Sequence, residues 1–218
     1  AALRMVPVSV SAAGMALEVF VDGESVTRTT TRLTGEHNAR NCAVAAAVAR
    51  QAGASLDDIV EALPAFGGVK RRMERIGTVG GIAVIDDYAH HPAEVAVTLQ
   101  ALRQTSQGRV IAIFQPHLYS RTRDFTTEFA HALAAADVVV VTDIYAAREE
   151  PIPGVHAEQI VEALRESGYA QAHYVREAAQ ALSLVSGMLV AGDVVVTMGA
   201  GDITEAAPAL VERLRNGK

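Results

Sequence analysis

The amino-acid sequence predicts an α/β fold: a Rossmann-like, mostly parallel sheet with helices on both faces, preceded by a small β-hairpin and helical region. Beyond residue 80, short apolar runs alternate with longer amphipathic stretches, as strands and helices alternate in α/β domains. The runs at 110–114, 138–141 and 194–198 are almost continuously apolar, which is typical of strands buried on both faces of a parallel sheet. The chain has 218 residues, 50% of them hydrophobic, enough for one large domain or two modest ones.

The first part of the chain predicts a small antiparallel sheet followed by two helices. Strands are expected at 6–10, 15–21 and 26–31. The pair Asp22-Gly23, between the second and third of them, is a strong hairpin signal. The first helix is expected to begin with Asn38 as its N-cap, and the second with Ser55 as its N-cap.

A break in the pattern at residues 64–69 predicts a linker, because Pro64 and the pair Gly67-Gly68 interrupt both helix and strand. We expect this linker to divide the chain into two domains, 1–69 and 70–218. Further strands are expected at 73–79, 82–85, 110–114, 138–141, 173–175 and 194–198, and helices at 92–103, 120–135, 156–167, 177–186 and from the last strand to about 215.

Composition and charge exclude several classes of protein. The net charge is −6, the sequence has no Trp, and no basic run offers a footprint for a phosphate backbone, which argues against nucleic acid as a partner. No run approaches the ~18 apolar residues of a membrane span, so no membrane partner is expected. Because Cys42 is the single cysteine, the sequence can form no internal disulfide, which fits a reducing cytoplasm. Cys42 is expected to be a small, buried apolar residue. The chain starts without Met and without a signal peptide, which suggests a piece of a longer chain.

Polar residues follow four of the predicted strands, at 86–91, 115–123, 143–150 and 199–202. Because the carboxyl ends of parallel strands share one edge of a sheet, ligands bind there in open α/β folds. The sequence therefore predicts one crevice at this edge. Its expected lining residues are Asp87, His90, His117, Arg121, Tyr145 and Asp202.

The residue types in this crevice suggest a chemistry, although each has a simpler structural interpretation. Arg121 can bind a carboxylate or phosphate with two parallel hydrogen bonds, or it can be a solvated residue at a helix start. Asp87 can accept hydrogen bonds from ribose hydroxyls. His90 and His91 are adjacent and point about 100° apart, and no third ligand is evident, so no metal site is expected. Tyr145 alone is more often a packing residue.

The glycines after the last strand do not complete a dinucleotide-binding fingerprint. The segment 199–202 reads GAGD, but the position of the third glycine is occupied by Thr204. The segment also follows the last strand rather than the first. We interpret it as a tight strand-to-helix turn at the rim of the crevice.

Six segments of the sequence resemble motifs of the Mur ligases, in the order found in that family. They are 35–41 (GEHNARN), 66–72 (FGGVKRR), 86–92 (DDYAHHP), 114–122 (FQPHLYSRT), 143–145 (DIY) and 199–202 (GAGD). They extend over almost the whole chain beyond residue 30. Segment 114–122 resembles the L-alanine-adding branch of the family more than the murein-peptide recycling branch.

The resemblance implies a three-domain, ATP-dependent ligase of peptidoglycan synthesis, of which this chain would be the end of the central ATPase domain and the C-terminal domain. The substrates implied are UDP-N-acetylmuramate and L-alanine. The phosphate loop and the Mg²⁺ ligands of the family belong to the missing part of the central domain, so we expect the chain alone to be inactive. Residues 66–69 would be the hinge of domain closure.

The resemblance also implies roles for individual residues. His37, Asn38 and Asn41 match the adenine side of the ATP site, Arg72 an ATP contact and Asp87 a ribose contact. His90 and Arg121 match groups near the incoming amino acid and are the expected catalytic pair, with Arg121 on the carboxylate of L-alanine. His117, Tyr88 and Tyr145 are expected to contact substrate. Leu118 departs from the arginine often found at its position.

Two other functions compete with a ligase. A nucleotide-dependent oxidoreductase would use a Rossmann-like sheet, but the broken glycine fingerprint counts against it. A binding module without ligase activity is compatible with the acidic composition, although no motif supports it.

Overall fold

The computed structural model describes residues 2–11 and 13–217. The chain forms two compact units, divided between Val69 and Lys70.

The first unit begins with a three-stranded antiparallel sheet in the order β1-β2-β3. Its strands are β1 (Leu3–Ser11), β2 (Gly14–Val21) and β3 (Glu24–Thr31). The hairpin between β2 and β3 turns at Asp22 and Gly23, both with positive φ, which the short Asp side chain and the bare glycine tolerate. The sheet was predicted correctly, with strands that begin up to three residues earlier than expected.

Two helices, α1 (Glu36–Gln51) and α2 (Leu56–Ala62), follow the sheet, and a 3-10 turn (Leu63–Ala65) ends the unit. The prediction of Asn38 as N-cap is wrong, because α1 begins at Glu36 and its N-cap is Gly35. At φ 87, Gly35 turns the chain into the helix in a conformation that favours glycine. Ser55 caps α2 as predicted and forms a reciprocal capping box with Asp58. Cys42 is buried in the core of this unit, as expected.

The second unit contains a six-stranded sheet in the order β4-β5-β9-β6-β7-β8. Five strands are parallel, and β4 pairs antiparallel with β5 at the edge. The strands are β4 (Glu74–Val79), β5 (Ile82–Asp87), β6 (Val110–Phe114), β7 (Val138–Val141), β8 (Ala172–Tyr174) and β9 (Val194–Met198). The structure confirms the Rossmann-like, mostly parallel sheet.

Helices cover both faces of this sheet, as the sequence predicts. On one face, α3, α4 and α5 pack over a core that includes Leu99, Phe129 and Ile160. On the other, α6 and α7 pack over a core that includes Leu182 and Leu210. The helices are α3 (Pro92–Thr105), α4 (Tyr119–Leu133, kinked at Phe125), α5 (Glu158–Glu166), α6 (Ala178–Ser186) and α7 (Ala206–Arg215). A 3-10 turn (Asp202–Glu205) precedes α7.

The strand order determines which loops meet. Strand β9 lies between β5 and β6, with Met198 in register with both Asp87 and Phe114. Phe114 is in turn paired with Val141 of β7. The carboxyl ends of β5, β9, β6 and β7 are therefore consecutive neighbours along one edge of the sheet. Each of these four ends carries a polar segment singled out in the sequence.

No helix within residues 2–11 and 13–217 is long and apolar enough to cross a membrane.

Candidate active site

Asp87, the last residue of β5, is buried, and its carboxylate is hydrogen-bonded to backbone on both sides. Its Oδ2 accepts from the N–H of Met73 at 2.7 Å, and its Oδ1 accepts from the N–H of Ala89 at 2.8 Å. Burial raises the pKa of Asp87, and these two N–H groups and the charge of Arg72 oppose that rise. The carboxylate thus fixes the two loops that meet at the end of β5, and only its remaining lone pairs face other partners.

Asp86 forms a buried network with Arg71 that sequence analysis did not identify. The Asp86 carboxylate accepts from the hydroxyls of Thr197 at 2.6 Å and Thr204 at 2.8 Å, and it pairs with Nε of Arg71 at 3.2 Å. Nη2 of Arg71 also donates to the carbonyl of Gly199 at 2.6 Å. One guanidinium thus joins the ends of β5 and β9. The basic run 70–72 was the available signal, but its spacing did not show which arginine turns inward.

His90 is held in one tautomer by its neighbours. Its Nδ1 lies 2.8 Å from the carbonyl oxygen of Tyr88 and 3.4 Å from Oε2 of Glu94. Because both of these atoms are acceptors, Nδ1 carries the hydrogen, and Nε2 of the neutral ring keeps its lone pair. The Tyr88 ring packs edge-on against the His90 ring, with centroids 5.1 Å apart. His90 therefore has the arrangement of an oriented base.

His91 has a different structural role from His90. It is the N-cap of α3, where its Nδ1 accepts from the N–H of Ala93 at 3.4 Å, and Pro92 occupies the first turn. Its ring contacts Phe125, with centroids 5.1 Å apart. The two adjacent imidazoles thus serve different parts of the structure.

Arg121, in the first turn of α4, points back to the end of β5. Its Nη1 lies 3.4 Å from the carbonyl oxygen of His90 and 3.4 Å from Nδ1 of His117. Burial lowers the pKa of His117, and the charge of Arg121 lowers it further. The lowered pKa favours the neutral form of His117, and the guanidinium lies beside the His117 ring and the His90 backbone. Leu118 has φ 75 at the N-cap of α4, a rare conformation for a branched residue, which produces this sharp turn.

Tyr145 and Gln115 connect this group to the end of β9. The Tyr145 ring stacks on the His117 ring, with centroids 5.8 Å apart and planes 17° apart. Gln115 donates from Nε2 to Oδ1 of Asp202 at 2.7 Å, and its Oε1 accepts from the N–H of Ile203 at 3.2 Å. Gly201 passes so close to Gln115 and Tyr145 that a Cβ on it would lie 2.5 Å or less from both side chains.

Four of the six residues predicted to line the crevice contact one another: His90, His117, Arg121 and Tyr145. The carboxylate of Asp87 is instead bound to the backbone of Met73 and Ala89. Contacts run without interruption from Tyr88 through His90, His117 and Tyr145, with Arg121 against the His117 ring and the His90 carbonyl. Asp202 joins them through Gln115. Arg72 is nearby, with its guanidinium 5.9 Å from the centre of the Tyr88 ring.

The three residues expected on the adenine side lie in the first unit, on α1. Nδ2 of Asn41 donates to Oδ1 of Asn38 at 3.3 Å, so the two amides share a helix face as the spacing predicts. Nδ2 of Asn38 donates to the carbonyl of Thr34 at 2.8 Å. His37 lies on the first turn of the same helix and is partly buried.

Across residues 2–11 and 13–217, no three or more His, Cys, Asp and Glu side chains are grouped so that they could hold a metal ion.

Comparison with known proteins shows to which family this chain is related. The chain is 44% identical over 209 residues to UDP-N-acetylmuramate--L-alanine ligase of Streptomyces avermitilis, covering 94% of this chain and 45% of the relative. It is 45% identical over 208 residues to the protein of the same name in Mycolicibacterium gilvum, covering 93% of this chain and 43% of the relative. The chain thus spans less than half the length of these relatives.

Solved structures agree with this relationship. The UDP-N-acetylmuramate-alanine ligase of Thermotoga maritima matches all of this chain with 46% of its own, at 29% identity and a TM-score of 0.84. A murein peptide ligase of Psychrobacter arcticus matches 99% of the chain with 46% of its own, at 25% identity and a TM-score of 0.63. Residues 71–201 match the family model described as Mur ligase, glutamate ligase domain. The chain belongs to the Mur ligase family.

Proposed function

We propose that this chain is part of an ATP-dependent ligase that joins L-alanine to the lactyl carboxylate of UDP-N-acetylmuramate. The observation that carries the proposal is the grouping of Arg121 with His90 and His117 at one edge of the sheet. Arg121 is a cation that can bind a carboxylate, and the two histidines next to it can accept a proton. The names of the relatives described above support the same substrates.

The proposed reaction has two steps. The lactyl carboxylate attacks the γ-phosphorus of ATP, which gives an acyl phosphate and releases ADP. The amine of L-alanine then attacks the acyl carbon, and inorganic phosphate leaves as the amide bond forms. The second step requires a neutral amine, so the ammonium of free alanine must first give up a proton.

Arg121 is proposed to hold the carboxylate of L-alanine. Its guanidinium is always charged and presents parallel N–H donors that match a carboxylate. In the structure its contacts are long ones, at 3.4 Å to the carbonyl of His90 and to the ring of His117. A carboxylate would replace these with shorter, charge-assisted bonds.

His90 is proposed to accept the proton of the alanine ammonium. Its Nδ1–H is fixed by the carbonyl of Tyr88, which leaves Nε2 as the acceptor of the neutral ring. Glu94 stands behind the same Nδ1 at 3.4 Å, so it can stabilise the imidazolium that forms. His117, Tyr88 and Tyr145 complete the proposed surface around the amino acid.

Arg72, Asp87, His37, Asn38 and Asn41 are proposed to contact ATP. Arg72 would meet the phosphates, and Asp87 the ribose through the lone pairs that Met73 and Ala89 leave free. The three α1 residues would contact the adenine. The resemblance puts the phosphate loop and the Mg²⁺ ligands of the family outside these 218 residues, so we expect the chain alone to show no turnover.

The test uses the full-length ligase that contains this chain, with ATP, UDP-N-acetylmuramate and varied L-alanine. Phosphate release should depend on alanine, and Arg121→Ala should raise the KM for alanine by about 10- to 100-fold, because a charge-assisted contact is lost. Arg123→Ala is the matched control, since Arg123 is exposed and paired with Asp124 on the same helix. An alanine KM that is the same in Arg121→Ala and wild type would refute the role of Arg121, and the absence of alanine-dependent turnover in wild type would refute the function.

A further inference from the structure

Tyr145 lies between His117 and a cleft at the edge of the sheet. On one side its ring stacks on His117, which in turn contacts Arg121. On the other side it lines a cleft of about 490 Å³ between the loop after β7, the start of α6 and the start of α7. The residue is 37% exposed, so a large part of its ring borders open space.

The position of Tyr145 is fixed from several directions. Its N–H donates to the carbonyl of Pro116 at 2.8 Å, and its own carbonyl accepts from the N–H of Leu118 at 3.0 Å. Gly201 lies behind the ring, where a Cβ would be 2.5 Å from Cγ of Tyr145 and 2.4 Å from Oε1 of Gln115. Tyr145, Gln115 and Gly201 are therefore closely packed, and we call these three residues the Tyr145 wall.

The cleft behind the Tyr145 wall is negatively charged. The carboxylates of Asp143, Glu177, Asp202 and Glu205 line it. Arg176 is the single cation among its described lining residues, and its Nε lies 4.0 Å from Asp143. An excess of carboxylates at a concave surface raises the local concentration of cations.

We propose that Tyr145 determines the specificity of the ligase, by closing the amino-acid site against the acidic cleft. This inference rests on the proposed function, in which Arg121 holds the carboxylate of the incoming amino acid. His117 is next to Arg121 and Tyr145 is next to His117, so a side chain that extends in this direction meets the tyrosine ring. A methyl group fits in front of the ring, whereas a longer side chain must displace it.

The same geometry predicts what an open site would accept. If the ring is removed, the amino-acid site and the cleft become one space, with carboxylates at its far end. An L-amino acid with an aliphatic chain and a terminal ammonium, such as L-lysine or L-ornithine, matches this space in both shape and charge. A neutral side chain of similar length, such as that of L-norleucine, matches it in shape alone.

The experiment compares kcat/KM for L-alanine, L-lysine and L-norleucine in the full-length ligase that contains this chain. Tyr145→Ala should raise the ratio of L-lysine to L-alanine by about 10- to 100-fold, the value of one charge-assisted contact. Tyr145→Phe keeps the ring and should keep the ratio. Adding Glu205→Gln to Tyr145→Ala should reduce the gain for L-lysine more than that for L-norleucine, because it removes charge without changing shape.

The outcomes separate this inference from the function on which it rests. Wild-type enzyme that does not ligate L-alanine refutes the proposed function. If wild type does ligate L-alanine, an unchanged lysine-to-alanine ratio in Tyr145→Ala overturns the role of the Tyr145 wall. Tyr145→Leu, which fills more of the space, provides the second variant, with an intermediate ratio expected.

Discussion

The guanidinium of Arg71 lies 4.7 Å from the centre of the Tyr88 ring, while the backbone carbonyl of the same arginine accepts the Tyr88 N–H at 2.7 Å. Both the side chain and the main chain of Arg71 therefore hold Tyr88 in position. Tyr88 in turn contacts His90 through its carbonyl oxygen and its ring. The first residues of the second unit thus help to orient the candidate active site.

Arg71→Ala should destabilise the second unit by about 1–3 kcal/mol, because the buried carboxylate of Asp86 loses a partner. Denaturant unfolding, followed by hydrogen exchange of β5 and β9 amides, measures the effect. Arg215→Ala is the control, since its pair with Glu212 is exposed and should contribute less than about 1 kcal/mol. Equal losses in the two variants would contradict the importance of the buried network.

Replacing Arg121 with Ala should raise the pKa of His117. Burial lowers the pKa of this imidazole first, and the nearby positive charge lowers it further, so removing the charge favours the imidazolium. Titration of the histidine ring resonances by NMR gives the value directly. Arg123→Ala, two residues away, should leave the His117 titration where it is in wild type. A lower pKa in Arg121→Ala would show that the guanidinium does not face the ring.

Asp193→Asn should reduce stability at neutral pH and flatten its dependence on acid. Burial alone would raise the pKa of Asp193, but two hydrogen bonds from Arg109 and one from Val190 lower it overall. A lowered folded-state pKa adds stability above the unfolded value near ~4, and this stability is lost as pH falls through the folded value. Melting temperatures between pH 2 and 7 test this, with exposed Glu128→Gln as control. Parallel curves for wild type and Asp193→Asn would contradict it.

Gly201→Ala should impair alanine use more than it impairs folding. Its φ of −95 is ordinary for any residue, so the added methyl acts through its close contacts with Gln115 and Tyr145 alone. Displacement of the Tyr145 ring should raise the KM for alanine in the full-length ligase. Gly187→Ala is the matched control, because its added methyl would meet nothing closer than 3.7 Å. Identical kinetics in both variants would mean that the turn at Gly201 adjusts without cost.

His90→Gln should lower kcat by about 10²- to 10⁴-fold, the usual contribution of a positioned base, with a smaller change in the KM for ATP. The glutamine keeps a polar group in the site but cannot accept the proton of an ammonium. His131→Gln tests the loss of an exposed histidine on α4. If the pH-rate profile of His90→Gln keeps the same acid limb as wild type, another group accepts the proton.

The sheet could be predicted from the sequence because its strands are short, continuous apolar runs. Such runs are typical of strands that are buried on both faces of a parallel sheet. The convergence of His90, His117, Arg121 and Tyr145 followed from the same runs, since parallel strands end at one edge. Arg71 was missed because its partners depend on tertiary structure: Gly199 is 128 residues away in sequence. Asn38 was predicted to be the N-cap of α1 because amide side chains favour that position. The helix begins earlier, because the backbone already turns at Gly35.

The position of β9 has a consequence for biosynthesis. This strand is translated after every other strand of the chain, yet it alone joins β5 to β6. Until β9 has been synthesised and has left the ribosome, the edges of β5 and β6 that pair with it remain unpaired. Unpaired strand edges are prone to associate with other chains. Nascent polypeptides arrested before residue 194 are therefore expected to be clients of chaperones and proteases, because the sheet cannot close until β9 has been made.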